Sequence, residues 1–410
     1  MKISFQYIRQ FFRDGSLSTI DKAIQASMVL CSLSIILSII LAQIFAWIII
    51  LLSLSRSVTF PKRRKTPFDI PLLVFIIVRV TSIVFSTDFS ASLRALHTEI
   101  PYYTLFYAIT QQQALLSERF IRLILWMFII SAMVGSCYGT LAVLLGWESR
   151  AASLTTGYYT LGSYLTATLV MTLVLGKSTM MRRRWIWYIV ILIMTLGVLL
   201  TLNRIHWGIM AVAFFVTGVL QERKLLSIVI IVFVLVFLVS PTVNYRLSQM
   251  VHVLENLSGR DVLWKGAAMI WTDHPILGYG QNTFVEIFPL RDSLEDRKVG
   301  GWHNDYLQIY IESGLFGLTA LLWLLSSIYY QAFVRFRKFM INGEDAKLVL
   351  AILAGMSAIL LSSLSGSAFL DILIRMMFMF LLSFYGLLLK QKGGGVFTAS
   401  GKTDVRQINV

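Results

Sequence analysis

Cysteine and charged residues are scarce in this chain. It has two cysteines among 410 residues, Cys31 and Cys137, and both fall in apolar runs, so neither a disulfide framework nor a cysteine-based metal site is predicted. Charged residues make up 14% of the chain and hydrophobic residues 57%, and the mean hydropathy is +0.74. A soluble domain does not need so much apolar surface, whereas a polytopic membrane protein does. The composition therefore predicts a membrane protein.

Apolar runs recur along the chain at the length that a helix needs to cross a bilayer. Crossing takes about 20 mainly apolar residues, and backbone polar groups in lipid must be satisfied within the segment, which favours helices. We therefore predict an all-α polytopic membrane protein with about twelve transmembrane helices. The first two spans share one apolar run, so a single long helix is the alternative there. The predicted spans are 24–40, 41–57, 69–86, 93–112, 120–145, 157–176, 185–202, 204–220, 225–241, 306–333, 346–363 and 369–389.

The spans divide the chain into five predicted parts. Residues 1–22 are basic and aromatic without a small-residue cleavage site, and we interpret them as an interfacial segment rather than a removed signal peptide. Residues 23–241 contain the first nine helices, residues 242–305 form one large polar loop, and residues 306–390 contain the last three helices. The tail, 391–410, contains a run of glycines from Gly393 onward and is predicted to be disordered.

The positions of the cations predict the orientation. Clusters at 62–65, 182–184 and 335–338 fall on one side of the predicted bundle, and connections rich in Lys and Arg lie in the cytoplasm. Both termini are therefore predicted in the cytoplasm, and the 242–305 loop on the opposite face. Membrane anchoring accounts for most of the formal charge of +15, so nucleic-acid binding is not needed to explain it.

Several arginines lie where anchoring does not explain them. Arg79, Arg94 and Arg204 lie near the outer ends of predicted spans, and Arg375 lies inside the last one. A cation near a helix centre costs about 3 kcal/mol. Snorkelling to the surface is the alternative for each residue taken alone, as is pairing with Asp371 for Arg375. Three arginines at one depth favour a site for an anionic headgroup, because guanidinium meets phosphate oxygens bidentately.

The 242–305 loop concentrates the remaining polar chemistry. Arg260 and Trp264 share a face of a predicted helix at i,i+4 spacing. His303 stands at the start of the next span, where a histidine is able to act as a general base near neutral pH. Asp305 or Glu312 is close enough in sequence to orient it, and a capping or interfacial histidine is the alternative. No metal or cofactor is predicted, because the spacings typical of metal ligands are missing from the sequence.

Two patterns in and beside this loop resemble the O-antigen ligase and polymerase superfamily. The first runs Arg260-x-x-x-Trp264 … His274-Pro-x-x-Gly278-x-Gly280-x-x-x-Phe284, and the second runs His303-Asn-x-Tyr306 … Glu312-x-Gly314-x-x-Gly317. The superfamily includes O-antigen ligases, Wzy-type polymerases and O-linked oligosaccharyltransferases. The resemblance implies a fold similar to GT-C glycosyltransferases, one large periplasmic loop, and metal-free glycan transfer from undecaprenyl pyrophosphate to an acceptor.

The resemblance also implies roles for individual residues. Arg260 matches the family's loop arginine, His303 its loop histidine, and Arg204 the arginine at the turn between the seventh and eighth helices. Asn203 stands where the family usually has serine. On this basis Arg204 and Arg260 bind the pyrophosphate, and His303 takes the proton from the attacking acceptor hydroxyl, with inversion at the anomeric carbon. Further predicted substrate contacts are Arg79, Arg94, Trp264, Asn304 and Tyr306.

The leading hypothesis is an O-antigen ligase of the inner membrane with its active site on the periplasmic face. Its expected partners are the undecaprenyl-pyrophosphate-linked O-antigen donor, the lipid A–core acceptor and membrane lipids. Chain length and the single large loop favour a ligase over the oligosaccharyltransferases. An O-antigen polymerase is the closest alternative. A transporter is a different class of protein, and the polar chemistry lies outside the bilayer midplane, where transporter sites are usually found.

Overall fold

The computed structural model describes residues 17–59, 65–180, 184–225, 259–294, 299–341 and 344–391, with single positions between 227 and 238. Throughout these ranges the secondary structure is helical and contains no β-strand. Residues 1–16 of the predicted segment 1–22, and all of the predicted tail 391–410 except Gln391, lie outside them. The helices are α1 (Thr19–Ser34), α2 (Ile39–Thr59), α3 (Asp69–Val84), α4 (Phe89–Gln111), α5 (Glu118–Leu144), α6 (Tyr158–Met180), α7 (Arg184–Leu200), α8 (Arg204–Leu220), α9 (Arg260–Ile270), α10 (Phe284–Ile287), α11 (Asp305–Ile341), α12 (Glu344–Ser362) and α13 (Ile372–Gln391).

The helices confirm a polytopic membrane protein. Among the described residues, six helical segments are long and apolar enough to cross a membrane. These segments are Ile39–Arg56, Glu118–Leu144, Tyr158–Gly176, Asp305–Arg335, Ala346–Ser365 and Ile372–Leu389. The first apolar run forms two helices, α1 and α2, rather than one. The predicted ninth span, 225–241, lies almost wholly outside the described residues, so the total of twelve and the GT-C-like architecture stay predictions.

Helix α11 is broken near its beginning. At Gly314 the backbone has φ 61° and ψ −162°, a region that is essentially restricted to glycine. Such a break frees backbone groups that lipid cannot satisfy. Here the N–H of Leu315 donates to the carbonyl of Pro275 at 2.7 Å, and the N–H of Phe316 donates to the carbonyl of Ile276 at 3.3 Å. The loop before α11 therefore supplies acceptors on the C-terminal side of the break.

The same loop supplies donors on the N-terminal side. The N–H of Tyr279 donates to the carbonyl of Ile311 at 2.9 Å, and the N–H of Gly280 donates to the carbonyl of Glu312 at 3.0 Å. Residues 275–280, which we call the inserted segment, thus satisfy backbone groups on both sides of the break. Part of the family-like pattern in the loop therefore has a structural role, which is to join that loop to α11.

Glycine is required where the two backbones approach each other. A Cβ at Gly278 would lie 2.4 Å from the carbonyl carbon of Glu312, and a Cβ at Gly314 would lie 2.1 Å from the carbonyl oxygen of Ile276. Both glycines also have positive φ. A side chain at either position would therefore separate the inserted segment from α11.

On its opposite side the inserted segment contacts the α3–α4 connection. The carbonyl of Tyr279 accepts from the N–H of Thr87 at 2.9 Å. Directly after the segment, the Gln281 side chain donates to the carbonyl of Arg79 at 2.8 Å, and the Ser92 hydroxyl donates to the carbonyl of Gln281 at 2.8 Å. The segment is therefore held between α11 and the α3–α4 pair.

A buried cluster of charges lies beside this junction. The Arg79 guanidinium contacts Glu99 at 2.7 Å and Glu312 at 2.8 Å, and Arg375 lies 3.8 Å from Glu99. All four side chains are buried. Two cations balance two anions, which is the condition under which buried charges are tolerated. The cluster links α3, α4, α11 and α13.

Arg375 does not pair with Asp371, the alternative considered for it from sequence. Its guanidinium turns toward Glu99 and donates to the carbonyl of Leu370 at 2.7 Å. Asp371 instead caps α13, because its Oδ1 accepts the N–H groups of Leu373 and Ile374 at 2.9 and 3.1 Å. A carboxylate at a helix N-terminus satisfies backbone donors that have no partner within the helix.

Replacing Gly314 with alanine tests the junction. We expect Gly314→Ala to lower the free energy of unfolding by about 3 kcal/mol or more, because the backbone conformation costs about 1–3 kcal/mol without glycine and the contact with Ile276 adds an overpacking penalty of about 1–3 kcal/mol. Gly146→Ala is the matched control, since Gly146 also has positive φ but a Cβ added there would meet no atom within 4 Å. Thermal unfolding in detergent measures both variants, and equal losses would argue against the close contact.

Candidate active site

A cavity of about 370 Å³ lies where the beginnings of α6, α8 and α9 meet the residues just before α11 and α13. Three residues predicted from sequence, Arg204, Arg260 and His303, line it together. They come from three separate segments of the chain. The full lining is Arg150, Tyr158, Tyr159, Leu202, Asn203, Arg204, Arg260, His303, Ser365, Ser367 and Asp371.

Arg204 is the first residue of α8, and the turn before it fixes its position. Asn203 has an extended backbone, and its side chain accepts from the N–H of Ile205 at 3.3 Å. Asparagine is a good N-cap residue, so Asn203 caps the start of α8. Arg204 therefore lies at the positive end of a helix, where anions are stabilised.

Arg260 is the first residue of α9. Gly259 precedes it with φ 75°, which turns the chain into the helix. One guanidinium nitrogen, Nη2, donates to the carbonyl of Ser365 at 2.8 Å. Its Nε is buried, and within the described part of the chain no group accepts a hydrogen bond from it. Burial lowers the pKa of Arg260, and the nearby cation Arg204 lowers it further. An anionic ligand would stabilise this charged guanidinium, because it would accept a hydrogen bond from Nε and would offset the effects of burial and of Arg204.

His303 occupies a strained position between two fixed neighbours. Its φ is 50°, a left-handed conformation that costs about 1–3 kcal/mol for a residue other than glycine. Trp302 before it is fully buried, with its ring 4.9 Å from that of Phe284. Asn304 after it caps α11 by accepting from the N–H of Tyr306 at 3.0 Å. Since both neighbours are held, the histidine retains the strained conformation.

The surroundings of His303 favour the neutral imidazole. Burial lowers its pKa below the ordinary value, and the positive charge of Arg260 lowers it further. A neutral imidazole has a nitrogen able to accept a proton. The site therefore holds a base in its reactive form beside cations.

Neither carboxylate predicted to orient His303 is used for that purpose. Asp305 accepts from the N–H of Phe369 at 2.6 Å, which fixes the α12–α13 connection against the start of α11. Glu312 pairs with Arg79 and accepts from the Gln308 side chain at 2.9 Å. Helical spacing places both on α11, but their hydrogen bonds hold other elements.

Three other predicted substrate contacts lie outside the cavity. Arg79 is 1% exposed, and its guanidinium is occupied by two carboxylates, which corrects its predicted role as a phosphate ligand. Arg94 is exposed and donates to the hydroxyl of Ser90 at 2.7 Å. Trp264 is exposed on α9. Sequence indicates how deep a residue lies along a helix axis, but not toward which side its side chain points.

Asn304 and Tyr306 also lie outside the cavity, and their contacts are with the protein. Asn304 caps α11 and donates from Nδ2 to the carbonyl of Leu364 at 3.2 Å. The hydroxyl of Tyr306 donates to the carbonyl of Leu360 at 3.0 Å. Both residues therefore hold the end of α12 beside His303, so we assign them a positioning role.

The cavity also contains residues that the sequence did not single out. The Arg150 guanidinium lies 4.6 Å from the ring centroid of Tyr158, a cation–π contact. Asp371 accepts from the hydroxyl of Thr160 at 2.9 Å, which joins the start of α13 to α6. Arg150 was detectable as a lone cation in an outer connection, whereas Asp371 was considered only as a partner of Arg375.

The charged residues in the described lining of the cavity favour an anion over a cation. Three arginines line it with a single carboxylate, Asp371. In the described residues no group of three or more His, Cys, Asp or Glu side chains is arranged to hold a metal ion. The chemistry that the lining offers is therefore binding of a phosphate-like group by guanidinium groups and proton acceptance by imidazole.

Comparison with known proteins agrees with this chemistry. Residues 189–322 match the family model described as O-antigen ligase. The matched region runs from α7 into α11 and contains Arg204, Arg260, His303 and the break at Gly314. None of the curated proteins compared matches the chain. Members of the matched family are enzymes that act on glycans. By this match, residues 189–322 are similar to the O-antigen ligase family.

Proposed function

We propose that this protein is an O-antigen ligase that transfers the polysaccharide from undecaprenyl pyrophosphate to lipid A–core on the periplasmic face of the inner membrane. The observation that supports this proposal is the convergence of Arg204, Arg260 and His303, from three segments of the chain, on one cavity. The family match supports glycan chemistry. Within the superfamily, the single large loop favours a ligase over the O-linked oligosaccharyltransferases, and the O-antigen polymerase is the alternative.

The arginines bind the pyrophosphate of the donor. Arg204 offers a guanidinium at a helix N-terminus, and Arg260 offers one whose buried Nε has no protein acceptor among the described residues. As the bond between the anomeric carbon and the phosphate oxygen breaks, its electron pair stays on the pyrophosphate and negative charge grows there. Guanidinium groups held at that point stabilise the transition state more than the ground state. This is the charge stabilisation that a metal ion supplies in other enzymes.

His303 activates the acceptor. The neutral imidazole accepts the proton of a sugar hydroxyl on lipid A–core as the hydroxyl oxygen forms a bond to the anomeric carbon. Attack from the face opposite the leaving pyrophosphate inverts that carbon. The products are the glycosylated acceptor, undecaprenyl pyrophosphate and an imidazolium that returns its proton to solvent.

Alanine substitutions at the cavity test this assignment. In protein reconstituted with lipid-linked glycan and acceptor, we expect His303→Ala and Arg260→Ala each to reduce transfer by about 100-fold or more, the usual contribution of a general base or a charge-stabilising group. His97→Ala and Arg119→Ala are matched controls, because both side chains are exposed, on α4 and α5, and lie outside the cavity. Full activity of His303→Ala at normal expression would refute the proposed site.

The pH profile tests the protonation state of His303. Transfer requires the neutral imidazole, so activity falls as the pH drops through the pKa of His303. Because burial and Arg260 both lower that pKa, we expect kcat/KM to stay high below the ordinary histidine pKa of about 6.5. Arg260→Gln removes one of the two causes, so its residual activity should decline at a higher pH than that of the wild type. An identical acidic limb in both proteins would show that another group controls the profile.

Gene deletion distinguishes the two enzymes of the superfamily. If the protein is the ligase, its loss should leave lipopolysaccharide with core only, because no polysaccharide is joined to the acceptor. Loss of a polymerase would leave core carrying a single repeat unit, and that result would overturn the ligase proposal. Electrophoresis of extracted lipopolysaccharide shows the difference, and complementation with the intact gene is the control.

A further inference from the structure

A second depression lies beside the cavity, in the connection between α5 and α6. It is a groove of about 700 Å³ whose lining comes entirely from residues 148–158. Its volume is within the range of about 300–1,000 Å³ found for small-molecule sites. The proposed mechanism uses none of the residues found only in this groove.

The connection that forms the groove is tied to three other elements. The N–H of Ala151 donates to the carbonyl of Leu200 at 2.8 Å, at the end of α7. The hydroxyl oxygen of Thr155 accepts from the N–H of Ile39 at 3.3 Å, at the start of α2. The N–H of Trp147 donates to the carbonyl of Ala142 at 2.9 Å, which closes the end of α5. These hydrogen bonds hold the connection in place, so the groove is a fixed part of the fold.

The groove and the cavity share two lining residues. Arg150 and Tyr158 line both, and the guanidinium lies 4.6 Å from the ring centroid. A ligand whose reactive end lies near Arg204, Arg260 and His303 would pass this pair and continue into the groove. An occupant of the groove is thus the next part of a substrate that is already in the cavity.

The groove's chemistry fits carbohydrate. Glu148 supplies acceptor oxygens, Ser149 supplies a hydroxyl that donates and accepts, and the ring of Tyr158, 41% exposed, supplies an apolar face. Sugars present hydroxyl groups at their edges and C–H groups on their faces, so they use all three. The groove is a poor site for a polyphosphate, because its one cation, Arg150, lies in the same lining as the carboxylate of Glu148. It is also a poor site for an acyl chain, because only two of its side chains, Ala152 and Leu154, are aliphatic.

We propose that this groove is a carbohydrate subsite that holds the sugars next to the reacting residue. The inference rests on the proposed glycan transfer at the cavity, and it adds the part of the protein that binds the neighbouring sugars. The sugars belong either to the donor polysaccharide or to the core oligosaccharide of the acceptor. Both offer the same chemistry, so the experiment includes one probe for each.

Direct binding tests the subsite without requiring transfer. The purified full chain in detergent is titrated with two probes, the oligosaccharide released from the donor lipid and the deacylated core oligosaccharide. We expect one of them to bind, and we expect Glu148→Gln to weaken that binding about tenfold, the effect of losing one charge-assisted hydrogen bond. Ser149→Trp, which fills the groove from an exposed position, should abolish it. Glu286→Gln, an exposed glutamate on α10, is the matched control.

The outcomes separate this inference from the proposed function. The probe that binds identifies the source of the sugars, and His303→Ala should bind it as the wild type does. If neither probe binds, or if Ser149→Trp binds as the wild type does, the subsite is wrong even when transfer is intact. If the wild type binds a probe but His303→Ala retains full transfer, the proposed catalytic site fails while the subsite stands. In transfer assays, Glu148→Gln should raise the KM for the matching substrate about tenfold and change kcat by less than about twofold.

Discussion

The break in α11 is the constraint on which the arrangement of the site depends. A helix that crosses lipid must satisfy its backbone internally, and Gly314 interrupts that pattern. The inserted segment, residues 275–280, restores hydrogen bonds on both sides of the break. Because α9 lies just before this segment in the chain and His303 lies just before α11, the junction also limits where Arg260 and His303 can be. The hydrogen bonds that satisfy the backbone of α11 therefore also help to position the residues of the site.

The buried charge cluster strengthens the same junction. Glu312 lies two residues before Gly314 and contributes to both, since its carbonyl accepts from the inserted segment and its carboxylate pairs with Arg79. Removing one member of a buried ion pair leaves an unpaired charge and costs about 3–5 kcal/mol, so the relative positions of α3, α4 and α11 are strongly coupled. Arg375 joins α13 to this group, and α13 begins next to Asp371 in the cavity. Distant charges thereby help to fix the wall of the site.

Sequence predicted the class and selected three residues that share one cavity, and its misplacement of Arg79 has a physical origin. Hydropathy identified the helices, because a bilayer requires long apolar segments. The family resemblance selected Arg204, Arg260 and His303, which the structure brings into one cavity, although their catalytic roles stay predictions. Arg79 was grouped with Arg94 and Arg204 because these three arginines share one predicted depth in the membrane. Depth follows from the position along a helix, whereas the direction of a side chain depends on partners such as Glu99, which is distant in the chain. Asp371 was considered only as a partner of Arg375, and Arg150, a lone cation in an outer connection, was not singled out.

Arg79 and the arginines of the cavity lie in different surroundings. Arg79 is matched by two carboxylates, so its charge is used in holding helices together. The described lining of the cavity contains three arginines and one carboxylate, Asp371, and it also contains Leu202 and His303, two of the three residues other than glycine with positive φ in the described chain. Strain costs stability, so it persists only where the surrounding structure enforces it. The junction at Gly314 and the buried ion pairs supply that enforcement next to the site. The stability of the helix core is therefore what allows the cavity to keep strained residues in its lining.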